Sequence, residues 1–446
     1  MINPEKAGQE IQTFFKMTAE EVAQSTEFVQ RESKLSGPLF LQSLVFGFIE
    51  DPEATLNILT QVCKDQDVEI SESGLHQRLN EKAVKFLKEM FQRSVNLLRN
   101  DVALDLALLK QFPAVYLLDS STIALPDNLK DEFPGCGGDG PEAMLKIQLL
   151  FEFLRGNLMC LVSQPGRTPD QKFDGHLEML EPGSLLLQDL GYFALPSLRY
   201  IDDQHGYFLT RLNLQTALFE VETEKRIDLP RLLSKETRTY FELDLLVGAQ
   251  EHLPCRVLFV RLPEEVVNRR RQRANEKARR KGRTLSPHYL KLLAWNIYIT
   301  NAPMEMLTIR QAVVLYSLRW QVELIFKLWK SQCKLHRVAG LRRERVLCEL
   351  YAKMIGIVMT HFFMAPLRLT KECELSLVKA RQTFQRNAMS LAKAIGQLAQ
   401  LTQAIETLCT RILKFGLKNK RKKHPSTCRR LQLVSSHSLA ELYPLA

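Results

Sequence analysis

The segment YSLRWQVELIFKLWK, residues 316–330, is mostly apolar but carries polar side chains at regular intervals. These polar residues are Tyr316, Arg319, Glu323, Lys327 and Lys330. On a helix that turns by roughly 100° per residue, the five side chains share a stripe about 80° wide. A helix that is apolar on its other sides is expected to be buried, and buried charges need partners. We therefore predict that the stripe faces a metal ion, a phosphate backbone or another protein segment, and that Trp320 and Trp329 lie in the core.

The composition is that of a globular protein with clustered positive charge. The chain has 446 residues, of which 45% are hydrophobic and 25% charged, which suits about two or three domains. Lysine and arginine number 61 against 50 aspartates and glutamates, a net charge of +11. Much of this excess lies in two runs, at residues 269–283 and 418–424. One such run is also typical of a solvated surface, but two runs favour a nucleic-acid partner.

Cysteine spacing and hydropathy argue against three other classes of protein. The nine cysteines include no CxxC pair, so a cysteine-rich zinc site is not expected. The N-terminus MINPEKAGQE is polar, unlike a secretory signal. The longest apolar stretch, MIGIVMTHFFMAPL at residues 354–367, is shorter than the roughly 20 residues of a membrane span. We expect reduced thiols, no membrane partner and a cytoplasmic location.

The spacing of apolar residues changes along the chain and predicts a sequence of domains. Residues 1–105 space apolar positions by threes and fours, which indicates a helical N-terminal region that we expect to bind DNA. Residues 106–213 hold short apolar runs between turns, which indicate strands and one hairpin. Residues 214–300 add short β-type stretches and the first basic run, as in a mainly β insertion. The core is expected to resume over 301–340, and a helical region to follow over 341–446.

Three carboxylates stand at positions that suggest chemistry. Asp119 and Asp189 each end an apolar run of the kind that forms a buried strand, and Glu323 lies on the polar stripe. Acids at strand ends can gather at one edge of a sheet. Three carboxylates without histidine or cysteine favour a hard cation such as Mg²⁺ or Mn²⁺, and paired ions of this type promote phosphoryl transfer. A single aspartate at a strand end is more often a turn or cap, and Asp202 and Asp203 compete for the second position.

Several motifs in this order resemble one family. The spacing Tyr-x2-Arg-x3-Glu-x6-Lys is met by Tyr316, Arg319, Glu323 and Lys330. This spacing resembles the signature of the bacterial insertion-sequence transposases of the IS-four family. The blocks DSSTIALP, DLGYF and WNIYITN, which begin at Asp119, Asp189 and Trp295, resemble further blocks of that family. The resemblance covers about residues 112–335, favours Asp189 over Asp202 and Asp203, and leaves the N-terminal hundred residues without a recognisable motif.

The resemblance implies a fold and a set of site residues. The fold would be α/β, with a ribonuclease-H-like catalytic core, a mainly β insertion before the glutamate, and helical N- and C-terminal regions. Asp119, Asp189 and Glu323 would hold two divalent ions, Mg²⁺ or Mn²⁺. The DNA-binding residues would include Tyr316, Arg319, Lys327 and Lys330, as contacts to terminal phosphates or the nucleophilic hydroxyl. Trp295 would form part of a pocket for a flipped base, with a packed core tryptophan as the alternative.

The resemblance also implies an activity and partners. A transposase of this type binds the terminal inverted repeats of its element, cleaves the ends and joins the freed 3′-hydroxyls to target DNA, in a cut-and-paste route through hairpinned ends. It would act on double-stranded DNA as a homodimer in the synaptic complex, in the bacterial cytoplasm at the nucleoid. The alternatives are a structure-specific nuclease on the same core and a non-catalytic DNA-binding inhibitor of transposition.

Overall fold

The chain divides into two compact units. The computed structural model describes residues 3–31, 34–368, 374–419 and Leu431. The helical unit comprises the described residues of 1–104, 120–168 and 321–422, and the sheet unit comprises those of 105–119, 169–320 and 423–446. The protein is therefore a mixed α/β structure with a large sheet and many helices.

The strands and helices have the following bounds. The strands are β1 (Val115–Ala124), β2 (Met144–Glu152), β3 (Asn157–Pro165), β4 (Leu185–Gln188), β5 (Tyr207–Arg211), β6 (Leu218–Glu220), β7 (Tyr240–Val247), β8 (Leu253–Arg261) and β9 (Trp295–Thr300). The helices are α1 (Pro4–Thr13), α2 (Ala19–Ser25), α3 (Gly37–Glu50), α4 (Leu56–Lys64), α5 (Glu72–Arg78), α6 (Glu81–Leu97), α7 (Leu195–Asp203), α8 (Leu229–Lys235), α9 (Glu264–Arg280), α10 (Pro287–Leu292), α11 (Ile309–Tyr316), α12 (Trp320–Ser331), α13 (Arg343–Met364), α14 (Leu377–Gln385), α15 (Ala388–Ala394) and α16 (Leu398–Phe415).

In the sheet unit, strand order follows β1-β4-β5-β9-β8-β7-β6. The first three strands are parallel, and the others pair antiparallel. Each parallel strand contains a buried apolar run, as expected when both faces of a sheet are covered, and all four residues of β4 are buried. The carboxyl ends of parallel neighbours meet at one edge, so residues that follow β1 and β4 in register lie side by side.

In the helical unit, α13 forms the centre of the packing. It contacts α3 and α6, and most of its 22 residues are buried. Both partner helices begin at side-chain caps: Ser36 accepts a hydrogen bond from the backbone of Leu39 at the start of α3, and Asn80 caps α6. The antiparallel pair β2–β3 confirms the hairpin predicted from the sequence.

The length of α13 qualifies the membrane prediction. With its continuation to Leu367 this helix spans Arg343–Leu367, with a mean hydropathy of 1.4, and is long and apolar enough by composition to cross a bilayer. The apolar stretch therefore lies in a longer helix than the sequence indicated. However, 94% of its apolar window is buried inside the protein, as for the core helix of a globular unit.

The opening segment differs from the single helix predicted for it. A 3₁₀ turn, Ser317–Arg319, separates α11 from α12, so Tyr316 ends one helix and Trp320 begins the next. Since a 3₁₀ turn advances by about 120° per residue rather than 100°, the angles calculated for one continuous α-helix change by about 60° across it. The core interpretation is confirmed for Trp329, which is 1% exposed, but is wrong for Trp320, which is 55% exposed.

The basic runs fall in different places. The run at 269–283 forms most of α9 and the turn after it. Of the run at 418–424 only Lys418 and Asn419 lie within the described residues, so the predicted cluster is otherwise outside them.

Candidate active site

Strand register in the sheet unit brings two of the predicted acids together. Leu118 of β1 is the register partner of Gln188 of β4, and the two strands are parallel. Asp119 and Asp189 follow these two residues, so they occupy equivalent positions on neighbouring strands. Asp119 remains inside β1, whereas Asp189 precedes a 3₁₀ turn. The two acids lie side by side because each directly follows the paired part of its strand.

Arg319 joins the two acids. Its Nη1 donates a hydrogen bond to Oδ2 of Asp119 at 2.9 Å, and its Nε lies 3.7 Å from Oδ1 of Asp189. The side chains of Asp119 and Arg319 are 16% and 18% exposed, whereas that of Asp189 is 42% exposed. Two neighbouring carboxylates repel each other, and the planar guanidinium offsets this repulsion by contacting both. The site thus concentrates negative charge that Arg319 neutralises in part.

Tyr316 and Arg211 lie next to this cluster. Arg211 was not among the residues singled out from the sequence. The tyrosine ring lies 4.9 Å from the ring of Tyr298 and 5.5 Å from the guanidinium carbon of Arg211. Burial raises the pKa of Tyr316; Arg211 opposes the rise and Asp189 adds to it. The hydroxyl of Tyr316 and Nε of Arg211 are buried, and neither has a hydrogen-bond partner among the described residues. These two donors are available to a ligand that carries acceptor oxygens.

The remaining signature residues lie on α12 in the helical unit. Glu323 is half-buried, Lys327 is exposed, and Lys330 is half-buried with a pKa lowered by that burial. The helix is anchored through Trp329, whose Nε1 donates a hydrogen bond to Nε2 of His361 on α13 at 3.0 Å. This contact fixes the rotation of α12 within its own unit.

Two tryptophans of the sheet unit differ in their access to a ligand. Trp295, the residue predicted to receive a flipped base, is 5% exposed and packs against Phe241 at 5.7 Å and beneath Arg261 at 5.2 Å. Its role in base binding stays a prediction. Trp320, which directly follows Arg319, presents its ring to solvent with 55% exposure.

Asp202, which competed for the second acidic position, has a structural partner. Its Oδ1 accepts a hydrogen bond from Nδ2 of Asn301 at 2.8 Å. The same asparagine accepts a hydrogen bond from the backbone of Phe208 on β5. Asp202 therefore helps to orient Asn301 at the end of β9, whereas Asp203 is exposed. The geometry favours Asp189 as the partner of Asp119.

The donor chemistry of the acid pair suits a hard cation. Asp119 and Asp189 offer only carboxylate oxygens, the ligands that Mg²⁺ and Mn²⁺ prefer. Arg319 lies within ion-pair distance of both, so this position already attracts positive charge. Within the described residues no group of three or more histidine, cysteine, aspartate or glutamate side chains is arranged to hold a metal ion. The sheet unit therefore brings together two of the three predicted carboxylates, and their role as metal ligands stays a prediction.

The sequence pattern that identified Asp119 and Asp189 could also have identified Arg211. It ends the apolar run of β5, just as Asp119 and Asp189 end their runs. Only acids were considered at strand ends, so the cation was missed. Trp320 also had a signal, because at about 100° per residue it falls about 20° from Lys327, at the edge of the polar stripe.

Known proteins share sequence with this chain over most of its length. Residues 110–359 match the family described as Transposase DDE domain. The chain is 31% identical to the transposase for insertion sequence element IS231B of Bacillus thuringiensis subsp. berliner over 431 residues, which cover 91% of this chain and 89% of that protein. It is 26% identical to the transposase for insertion sequence element IS1151 of Clostridium perfringens, covering 94% and 93% of the two chains.

A solved structure also resembles the fold. The piggyBac transposase synaptic complex with hairpin DNA, determined by cryo-EM, matches with a TM-score of 0.48 at 10% identity, covering 96% of this chain and 87% of that one. The assignment rests on the sequence relatives, which are named transposases and match nearly the whole chain. A DDE domain implies dependence on divalent metal, which agrees with the oxygen-only acid pair. The chain is an enzyme and belongs to the family of DDE-type insertion-sequence transposases.

Proposed function

We propose that this transposase binds the terminal inverted repeats of its insertion sequence, cleaves the ends, and joins the freed 3′-hydroxyls to target DNA. The observation that carries the proposal is the contact of Arg319 with both Asp119 and Asp189. In this contact a guanidinium, which is suited to binding phosphate, meets two carboxylates, which are suited to binding metal ions. The reaction would proceed through hairpinned ends, in a homodimer, at the nucleoid of the bacterial cytoplasm.

The acidic residues have the role of metal ligands in this proposal. Asp119, Asp189 and Glu323 would hold two divalent ions, Mg²⁺ or Mn²⁺, on a ribonuclease-H-like core. Bound ions of this kind activate the attacking oxygen and stabilise the leaving oxygen at phosphorus. The strand register supports the first two assignments, and the position of Glu323 four residues after Arg319 supports the third.

The cationic and aromatic residues would position the DNA. Arg319 is paired with acids in the protein alone, and a cation bound to those acids would release its guanidinium for a terminal phosphate. Arg211 and Tyr316 offer unpartnered donors beside Asp189, which suits a non-bridging phosphate oxygen. Lys327 and Lys330 on α12 would contact the DNA backbone further along the end.

An aromatic side chain is also needed for a hairpinned end, because the tight turn unstacks terminal bases. Trp295 remains the residue predicted for this role, although its ring is packed against Phe241. The exposed ring of Trp320, adjacent to Arg319, favours it as a second contact for an unstacked base. A base that stacks on an aromatic ring contributes about 1–3 kcal/mol.

Two alternatives make different predictions. A structure-specific nuclease on the same core would cut DNA but not join it. A non-catalytic inhibitor would bind the ends without cutting. The two acids and the arginine that links them favour catalysis, because an inhibitor has no use for adjacent carboxylates that repel each other.

The test uses purified full-length protein, Mg²⁺, and linear DNA that ends in the inverted repeats flanking this gene. We expect nicks at the element ends, hairpinned products and insertion into a second plasmid. Asp202→Asn serves as the control and should lose little activity. Cutting without joining would support the nuclease alternative, and binding without cutting would support the inhibitor.

A further inference from the structure

The basic run at 269–283 is presented by a helix packed onto the sheet unit. Helix α9 buries Val267 and Ala278, which are 1% and 8% exposed. Its other surface is almost entirely polar. A helix with so narrow an apolar side depends on additional anchors to hold one orientation.

Two arginines of the run provide these anchors. Arg270 donates a hydrogen bond from Nη2 to Oδ1 of Asn296 at 2.8 Å, and Arg271 donates from Nε to the carbonyl of Leu290 at 3.2 Å. Both side chains therefore point toward β9 and the end of α10. Their charge serves attachment, so the run is not one uniform surface.

Four other cations form an outer stripe on α9: Arg269, Arg273, Lys277 and Arg280. All four are exposed. At about 100° per residue they fall within about 80° of one another, on the side away from Val267. The outer stripe extends roughly 16 Å along the helix axis, at about 1.5 Å per residue over eleven steps.

The outer stripe has little internal compensation. Within the described residues, no carboxylate lies at ion-pair distance from Arg273, Lys277 or Arg280, and Arg269 bonds only the helix backbone at Glu265. The neighbouring acid Glu276 accepts a hydrogen bond from Gln272 instead. Like charges four residues apart destabilise a helix by about 0.2–0.5 kcal/mol per pair. An anchored helix that carries such repulsion is suited to a polyanion.

Duplex DNA matches the length and charge of the stripe. It carries one negative charge per about 1.7 Å of its axis, so a comparable length of duplex offers several phosphates to each cation. Guanidinium and ammonium groups bind phosphates irrespective of base sequence. The one amide at the edge of the stripe, Gln272, is engaged with Glu276, so the surface offers no side chain of the kind that reads adenine.

We propose that the outer stripe binds the phosphate backbone of target DNA, the partner that the enzyme must hold without a defined sequence. The assignment rests on the proposed function and extends it with a surface for the second DNA substrate. Arginine can also read guanine, but the amide beside the stripe is engaged with Glu276, so the stripe is better suited to the phosphates of DNA of any sequence than to a defined terminal repeat. Loss of the stripe should therefore impair joining while end cleavage continues.

The test compares two triple variants of the full-length protein with equal loss of charge. The first is Arg273→Gln/Lys277→Gln/Arg280→Gln. The matched control is Lys225→Gln/Arg226→Gln/Lys235→Gln, which removes three exposed cations elsewhere in the sheet unit. Each variant is loaded with element ends and given a plasmid without inverted repeats, at salt concentrations between about 50 and 200 mM.

We expect the stripe variant to cleave ends at the wild-type rate and to join them at least about tenfold more slowly near 100 mM salt. The slope of log target affinity against log salt should fall by about 2.7, since three lost contacts contribute about 0.9 each. The control should match wild type. Arg273→Lys/Arg280→Lys, which retains the charge, should join normally.

Other outcomes overturn the assignment. Equal joining and equal salt slopes in the stripe variant and the control would make the outer stripe a solvated or protein-binding surface. Loss of end binding and cleavage in the stripe variant alone would assign it to the element ends. A wild-type protein that cleaves no ends contradicts the proposed function and this assignment with it. A melting temperature for each variant shows whether any loss arises from unfolding.

Discussion

Two clusters in which a cation meets a carboxylate differ in how completely their charges are enclosed. In the helical unit, Lys353 and Glu349 lie 2.7 Å apart with side chains 1% and 6% exposed. In the sheet unit, Arg319 meets Asp119 and Asp189, which are 16% and 42% exposed. The first cluster is almost wholly enclosed, whereas the second contains two neighbouring acids, one of which is open to solvent.

The hydrogen bonds of the two clusters explain the difference. The ammonium of Lys353 also donates to the carbonyls of Arg337 and Lys334, at 2.6 and 3.4 Å, and Glu349 accepts from the backbone of Ala339 at 2.9 Å. This cluster holds the chain that follows α12 and leaves no capacity for a ligand. The Arg319 cluster leaves carboxylate oxygens exposed beside unpartnered donors. An open, unbalanced cluster is the better candidate for catalysis.

The largest effect on activity is expected for Glu323, the residue of α12 that is predicted as the third acid. Glu323→Gln keeps the shape of the side chain and removes its charge, so end cleavage should fall by about a thousandfold or more, because bound metal contributes several kcal/mol at the transition state. The melting temperature should change little. Single-turnover cleavage and thermal unfolding measure both quantities. Asp203→Asn, at an exposed position, is the control, and an active Glu323→Gln protein would remove that residue from the site.

Substitution in the buried Lys353–Glu349 pair should lower stability and leave activity unchanged. Lys353→Met leaves Glu349 buried without its partner, so the free energy of unfolding should fall by about 3–5 kcal/mol. The folded fraction should still cleave DNA at the wild-type rate. Denaturant unfolding with an activity assay on the same sample checks this. The double variant Lys353→Met/Glu349→Met should recover most of the stability, and a stable but inactive single variant would contradict a purely structural role.

A smaller effect is expected from Arg319→Lys. The ammonium keeps the charge but cannot contact two oxygens in one plane. Loss of a hydrogen bond to a charged group, about 1.5–3 kcal/mol, corresponds to cleavage slower by about 10- to 100-fold. Arg337→Lys provides the matched control, since Arg337 pairs with Glu53 at 2.7 Å on the surface. Equal activity in the two variants would show that Arg319 acts only as a charge.

The smallest effect is the pH dependence of stability that arises from His361, which accepts a hydrogen bond from Trp329 of α12. Burial, aided by the charge of Arg368, lowers the pKa of His361 to about 4, from an ordinary value of 6.5. Between those pH values the unfolded chain binds more protons than the folded one, so stability is complete above pH 6.5 and falls as the pH drops toward 4. The slope from this group is at most about 1.4 kcal/mol per pH unit.

Denaturant unfolding at several pH values measures that slope. His361→Gln should make the profile flatter between pH 6.5 and 4, since a glutamine at position 361 does not titrate. Burial also lowers the pKa of His176 in the sheet unit to about 4, so part of the dependence should persist. An unchanged profile would show that His361 is not kept neutral by its burial and its contact with Trp329.

The sequence predicted those features that depend on local pattern. Apolar runs that end at Asp119 and Asp189 predicted buried strands, and strands of this kind in parallel register bring the two acids together. The exposure of Trp320 was missed, although at about 100° per residue this side chain falls about 20° from Lys327, at the edge of the polar stripe. The three-residue 3₁₀ turn before α12 could not be predicted, because periodicity does not reveal such a turn. The pairing of Arg319 with both acids was also beyond reach, since it joins this residue to Asp119, 200 positions earlier, and to Asp189, 130 positions earlier (319 minus 189).

The most direct test of the site is the single-turnover rate of Mg²⁺-dependent end cleavage by Asp119→Asn. We predict that cleavage is lost, by about a thousandfold or more, while the melting temperature stays the same or rises. The rise would follow because the repulsion between residue 119 and Asp189 is removed, whereas the amide can still accept a hydrogen bond from Arg319. Cleavage near the wild-type rate by the folded variant would contradict the assignment of this acid pair as the catalytic centre.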